Sequence, residues 1–320
     1  MAAASTIVGI GADERPIRIQ LPVVHSEDMI HVEHLTKRYG HHAAVDDVSF
    51  SCRSGSITGL CGPNGAGKAT TLRMLTGLTS PSSGRVTIDG RSYADHPNPG
   101  RLIGVMLDAS AQHPGRTGLE TLRIVTRLLG LPKNAAEEML ERVGLETAAH
   151  RRVGDYSLGM RQRLGIGAAL VGEPAVLVLD EPANGMDPEG IRWMRNLLVD
   201  FAHCGGTVLL SSHLLGEVQA TVDRVVVISG GRIVADDSLD SLLAGQGTTV
   251  RSLDCAGLDA ALRRAGYETR RGDHDTLVVE ARAEQVGRVA LDAGQVLLEL
   301  REGRPGLEDL FFQLTTAKAA

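Results

Sequence analysis

Residues 62–70 read Gly62-Pro63-Asn64-Gly65-Ala66-Gly67-Lys68-Ala69-Thr70, and this stretch decides how the rest of the chain is read. Its spacing is that of a phosphate loop, G-x-x-x-x-G-K-[ST], except at the last position, where Ala69 stands in place of a hydroxyl residue. The context is the required one. A β-type run, SITGLC (Ser56–Cys61), precedes the loop, and an amphipathic helical pattern, TTLRMLTGL, follows it. Gly62, Gly65 and Gly67 let the backbone approach a ligand without Cβ clashes. The N–H groups of the loop and the start of the helix then favour negative charge, and Lys68 reaches toward the outer phosphates. An accidental glycine-rich turn is the plainer alternative, and the flanking strand and helix argue against it.

A phosphate loop needs a second element. AVLVLDEP (Ala175–Pro182) is an apolar run ending in two acids, the pattern of a parallel strand buried on both faces. Asp180 falls at its carboxyl end, where ligands bind in open α/β sheets. A carboxylate there suits a hard cation bridging phosphate oxygens. Glu181 follows and is placed to polarise a water for in-line attack.

The chain around these elements is ordinary for a soluble globular protein. Its 320 residues are 42% hydrophobic and 22% charged, with net charge −6, which disfavours broad capture of nucleic acid. Cys52, Cys61, Cys204 and Cys255 lack metal-ligand spacing and read as reduced, mostly buried cytosolic thiols. No apolar run is long enough for a membrane span.

Three regions are expected. Residues 1–28 read as a loosely ordered extension, because MIHVEHLTKRYG from Met29 begins like a domain. Residues 29–245 read as an α/β domain. Within it, GLETLRIVTRLLGL places Leu119, Leu122, Val125 and Leu129 on one helical face, so a helical subdomain is expected over about 110–172. Residues 246–320 alternate strand and helix, ending in the helical pattern GLEDLFFQLT with Leu310, Phe311 and Leu314 on one side, and read as a small α+β domain.

From Met29 to about Gly245 the chain resembles the ATP-binding subunit of an ATP-binding cassette (ABC) transporter. The resemblance implies a mixed sheet core with a helical subdomain, ATP and Mg2+ as ligands, and ATP hydrolysis. It implies a place at the cytoplasmic face of the membrane beside a membrane-spanning permease, with no nucleic-acid partner. It also assigns residues. Tyr39 in LTKRYG matches the aromatic that stacks on adenine. Lys68, Glu181 and His213 (in LLSSHLL) match the catalytic set, with His213 contacting the γ-phosphate. Thr70 matches the residue touching the α-phosphate, Asp180 a metal-site acid, and Asp187 in NGMDP the aspartate linking two sites. YSLGMRQRLGIGAAL occupies the place of the LSGGQ signature, with Ser157 and Gly159 closing over ATP held by another subunit. One loop and one signature per chain imply a homodimer. Leu158 and Met160 depart from the common signature, yet this form, and HPGRT at His113–Thr117, resemble the antibiotic-exporter branch.

Two departures bear on metal binding. Ala69 removes a ligand whose place water can take, at a cost of up to about 2 kcal/mol. Asp108 falls where the family carries glutamine; it keeps the acceptor and lacks the amide donor. Gln112 lies close by in sequence, and position favours Asp108. A non-transport cassette acting on ribosomes or DNA, or a regulator with weak hydrolysis, is the rival reading. The single acidic cassette, the absence of a long heptad region between Lys68 and Asp180, and the presence of Glu181 and His213 argue against both.

Overall fold

The computed structural model describes residues 6–8, 17–19, 27–213, 216, 219–243, 247–272 and 276–302. The chain divides into two units between Asp237 and Ser238.

In the first unit, β1 (Thr6–Val8) pairs antiparallel with β2 (Ile17–Ile19). The rest of the expected N-terminal extension before Glu27 lies outside the described residues. β3 (Asp28–Tyr39) pairs antiparallel with β4 (His42–Arg53) and, on its other edge, with β6 (Ser83–Ile88), giving a three-stranded sheet ordered β4-β3-β6. Between β4 and β6 come β5 (Ile57–Cys61) and α1 (Lys68–Leu75), the strand and helix flanking the glycine loop.

A second sheet has six strands, including β5, which leads into the glycine loop. Helix α2 (Pro99–Leu102) leads into β7 (Ile103–Met106). Three longer helices follow, α3 (Gly118–Leu128), α4 (Ala135–Arg142) and α5 (Leu158–Leu170), then β8 (Val176–Asp180), α6 (Pro188–His203), β9 (Thr207–Ser212), β10 (Arg224–Ser229) and β11 (Arg232–Ser238). The order is β11-β10-β5-β9-β8-β7. The contiguous strands β10, β5, β9, β8 and β7 all pair in parallel. Every residue of β5 and β9 is buried, as is all of β8 except Asp180, which explains their unbroken apolar runs. β10 and β11 are joined by Gly230–Gly231, both at positive φ, which a tight hairpin turn between strands requires.

One core cluster ties the two sheets together through α1: Met29, Leu35 and Val48 from the small sheet, Leu72 and Leu75 from α1, and Leu60, Val178 and Val226 from the large one. The helical region has local stop and start signals. α3 begins with a capping box in which Thr117 Oγ1 accepts from Glu120 N–H at 3.1 Å and Glu120 Oε2 accepts from Thr117 N–H at 2.8 Å. Of the expected face on α3, Leu119 and Leu122 are buried and Val125 and Leu129 half-buried, while Ile124 and Leu128 face solvent. The Arg163 guanidinium of α5 lies 4.3 Å over the Trp193 ring of α6, tying that helix to the sheet unit.

The second unit contains α7 (Leu239–Leu243), β12 (Thr248–Ser252), α8 (Cys255–Arg264), β13 (Thr269–Arg271), β14 (Leu277–Val279), α9 (Ala283–Asp292) and β15 (Leu297–Glu302). Its βαββαβ order forms an antiparallel sheet, β13-β14-β12-β15, whose core joins Val250, Leu277 and Val279 to Leu258, Leu262, Val286 and Ala290 of the two helices. Two expectations need correction. The division falls before the expected 245/246 boundary, because α7 groups with the second unit. The sequence reading also passed over β13: TRR carries two exposed arginines and has no apolar alternation to announce it. The GLEDLFFQLT pattern lies outside the described residues.

Candidate functional site

Three adjacent parallel strands, β5, β9 and β8, end on the same side of the sheet, and the chain leaves each one at the site. β5 delivers the glycine loop, β9 delivers Ser211 and His213, and β8 delivers Asp180 and Glu181. A cavity of about 260 Å3 opens there, lined by Pro63–Thr70 together with Ala44, Asp180 and Glu181. The structure therefore brings the two sequence-read elements into one space.

The loop is shaped by its glycines at two positions. Gly65 has φ 80 and Gly67 φ 109, and a Cβ on Gly67 would lie 2.5 Å from the Ala44 carbonyl oxygen. Gly67 is also the N-cap of α1. It supplies no side-chain acceptor, and no acidic residue lies in the first turn, so the helix start is left open to an anion. Lys68 is 6% exposed and donates to the Gly62 carbonyl at 2.6 Å, within 3.6 Å of Glu181 Oε1. Thr71 closes the first turn, its hydroxyl donating to Gly67 O at 3.0 Å.

β9 holds both acids. Its register sets Ser211 opposite Asp180, and the Ser211 hydroxyl donates to Asp180 Oδ1. The Glu181 N–H donates to both Ser211 Oγ (3.1 Å) and Ser211 O (3.2 Å). These bonds hold Glu181 at φ 49, a left-handed conformation that costs a non-glycine residue on the order of 1 kcal/mol. Two residues on, His213 Nδ1 lies 2.7 Å from Glu181 Oε2, and the His213 N–H points to the same oxygen at 3.3 Å. Burial raises the Asp180 pKa above the ordinary aspartate range; the Ser211 hydroxyl opposes this, the Glu181 charge adds to it, and Lys68 and Arg73 pull the other way. Ser211 is the site residue that the sequence reading missed. Its only signal is cross-strand register, which a serine in an apolar run does not disclose.

The donors present suit a hard divalent cation held largely by phosphate oxygens and water. The Asp180 carboxylate lines the cavity, Ala69 offers no side-chain donor, and no cluster of three or more His, Cys, Asp or Glu among the described residues forms a protein-only metal site. Other sequence-read residues stand apart from the cavity. Tyr39 ends β3, 55% exposed, with Lys37 Nζ 5.1 Å from its ring centroid. Asp108 is exposed in the turn after β7. Gln112 instead turns to α5, donating to the Arg161 carbonyl at 3.2 Å. Ser157 caps α5, accepting from Met160 N–H at 3.2 Å. Leu158 and Gly159 pack beside Gly185 and Met186, in the turn before α6. Asp187 is the N-cap of α6, accepting from Gly190 N–H at 2.8 Å. Cys52 and Cys61 are buried, Cys204 and Cys255 partly so, and all four are free thiols.

Comparison with known proteins identifies the family. Residues 45–184 match the ABC transporter family, and residues 236–308 match a domain family of unknown function. The bacitracin transport ATP-binding protein BcrA of Bacillus licheniformis is 41% identical over 211 residues, covering 65% of this chain and 69% of that protein. A solved structure of the ATP-binding subunit of an ABC transporter superposes with a TM-score of 0.62 at 29% identity, covering 68% of this chain and 92% of the other. An uncharacterized ABC transporter ATP-binding protein of Bacillus subtilis (strain 168), YdbJ, is 35% identical over 300 residues, covering 91% of this chain and 97% of its own length. That likeness runs through both units, and the chain belongs to the ABC transporter family as one of its ATP-binding, ATP-hydrolysing subunits.

Proposed function

We propose that two copies of this chain enclose ATP and Mg2+ between them and drive a separate membrane-spanning partner. The observation that carries this reading is the meeting of Lys68, Asp180 and Glu181 around one cavity, with His213 on the Glu181 carboxylate. When bound, the cation offsets charge on the β- and γ-phosphates. The chain's own residues do the rest. Gly62, Pro63, Asn64, Gly65, Ala66 and Gly67 wrap the phosphates with backbone N–H groups, and Lys68 leaves the Gly62 carbonyl to meet them. Ala69 contributes backbone only, Thr70 sits toward the α-phosphate, and Tyr39 receives the adenine. Asp180, in the cavity lining, would hold the cation, and Asp108, in the turn after β7, would come in as a second acid. Glu181 takes a proton from the attacking water, while His213 holds that carboxylate and meets the γ-phosphate.

Ser157 and Gly159 of the opposing copy complete the enclosure. An α-helix N-terminus capped by a serine offers N–H groups to a γ-phosphate. The membrane partner docks on the helical region, where Ile124 and the 78%-exposed Leu128 present an apolar surface one turn apart on α3. The protein is thereby held at the cytoplasmic face of the membrane. No helix among the described residues is long and apolar enough to cross a membrane itself. The likeness to a bacitracin transport subunit supports an antibiotic, drug or lipid as the cargo, and export as its direction. Co-purification from native membranes, with ATPase assays before and after removal of the captured partner, tests the reading. Recovery with ribosomes or DNA in place of a membrane protein overturns it.

A further inference from the structure

We propose that β15 is a self-pairing edge, through which the second units of two chains join their sheets antiparallel about a two-fold axis at Leu300. The two ends of this sheet are built differently. β13, at one end, is three residues long and exposes Arg270 and Arg271, a short charged edge of the kind that discourages pairing. β15, at the other end, is six residues long, and among the described residues only β12 pairs with it.

The β15 edge is apolar as well as long. Leu298 is 51% exposed and Leu300 38%, although Leu300 pairs with the fully buried Val250 and so lies on the face covered by helices. Helix α9 extends the same surface. A Cβ on Gly287 would lie 3.6 Å from Leu300 Cδ2, and Leu291, one turn along that helix, is 79% exposed. Val296 and Leu253, at the entry to the strand, are exposed too. An extended edge with apolar side chains is a template for another strand.

Charge selects the occupant and the register. Glu299 and Arg301 flank Leu300 on the opposite face, where they pair with each other at 2.8 Å. A two-fold axis through Leu300 sets Leu300 against its own copy, Glu299 against Arg301 of the second chain, and Arg301 against that chain's Glu299. Centring the axis on Glu299 or Arg301 would oppose like charges, which destabilises a cross-strand pair. The strand is thus complementary to itself, which is what a closed two-fold contact requires. The contact needs no nucleotide. It tethers two cassettes, so that their closure over ATP becomes an intramolecular event.

Sedimentation of the full-length, nucleotide-free protein at micromolar concentration tests the proposal. The expected species is a dimer, and Leu300→Lys weakens it at least tenfold. Glu299→Arg weakens it as well, and adding Arg301→Glu restores it. Because a lysine at 300 risks local unfolding, Leu300→Cys gives a second readout: mild oxidation yields a covalent dimer that the unaltered chain, with its own four cysteines, does not form. A nucleotide-free monomer overturns the proposal. So does a dimer indifferent to Leu300→Lys and to the charge exchange. A Leu300→Cys thiol that neither cross-links nor reacts with maleimide assigns the strip to residues 303–320 of the same chain, and likewise overturns it.

Discussion

Lys68 Nζ stands 3.6 Å from Glu181 Oε1, while the other oxygen of that carboxylate meets His213 Nδ1 at 2.7 Å. The ammonium is satisfied by the Gly62 carbonyl and a carboxylate, both of which a bound phosphate would displace or share. On the proposed reading, binding exchanges the partners of Lys68, and Glu181 would be freed from the lysine as the phosphates arrive.

Glu181→Gln therefore separates binding from chemistry. Removing the base lowers the ATPase rate by about 100-fold or more. The amide keeps a hydrogen-bond acceptor for His213, so nucleotide affinity, read by equilibrium binding of a fluorescent ATP analogue, stays within a few-fold of the parent. A rate unchanged by the substitution would remove Glu181 from the chemistry.

Ser211→Ala tests the hold of β9 on the acidic pair. The hydroxyl is fully buried, donates to a carboxylate and accepts from the Glu181 N–H, so its loss costs about 1.5–3 kcal/mol in denaturant unfolding at neutral pH. The pH dependence has a definite sign. Asp180 already has a pKa raised in the fold, so its contribution to stability falls as pH rises from the unfolded value through the folded one. Without Ser211 the folded value climbs further, and the deficit of the variant is larger at neutral pH than below the ordinary aspartate range. Equal deficits at both pH values would contradict this role.

Ala69→Ser restores the hydroxyl that the loop lacks. The expected outcome is half-maximal ATPase activity at a lower magnesium concentration, by up to about 30-fold, from relief of the cost of up to about 2 kcal/mol of fixing a substitute water. Identical magnesium titrations for the two proteins would mean that Ala69 costs nothing.

Cys52 and Cys61 should resist alkylation in the native protein. Burial pushes both thiols up to about 12, so at pH 8 they stay protonated as well as inaccessible. Mass spectrometry after iodoacetamide treatment should find label on Cys204 or Cys255 alone, and on all four only after unfolding. Early labelling of Cys61 would show that the strand beneath the glycine loop opens.

The candidate phosphate loop was legible because its pattern is local. Gly62, Gly67 and Lys68 lie within seven positions on one strand–turn–helix unit, and Asp180 and Glu181 announce themselves at the end of an apolar strand. Ser211 was not legible, since what matters is its place opposite Asp180 across two strands separated by α6. The second unit divides in the same way. Its helices could be read from periodicity, whereas the order β13-β14-β12-β15 rests on long-range pairing that short strands leave unspecified. Asp108 and Gln112 show the limit of position alone, for their surroundings separate them: one is exposed after β7, and the other is tied to α5.

Because β9 carries Ser211 and ends at Ser212, directly before His213, the site has a mutational grain. A single inserted or deleted residue within β9 would turn the serine away from Asp180 and unseat both acids together, since strand faces alternate with every residue. Point exchanges such as the one at Ala69 touch one contact at a time. Replacements at the margin of the site, such as Ala69→Ser, are therefore expected to change the rate in small steps, whereas a change in the length of β9 is expected to abolish it.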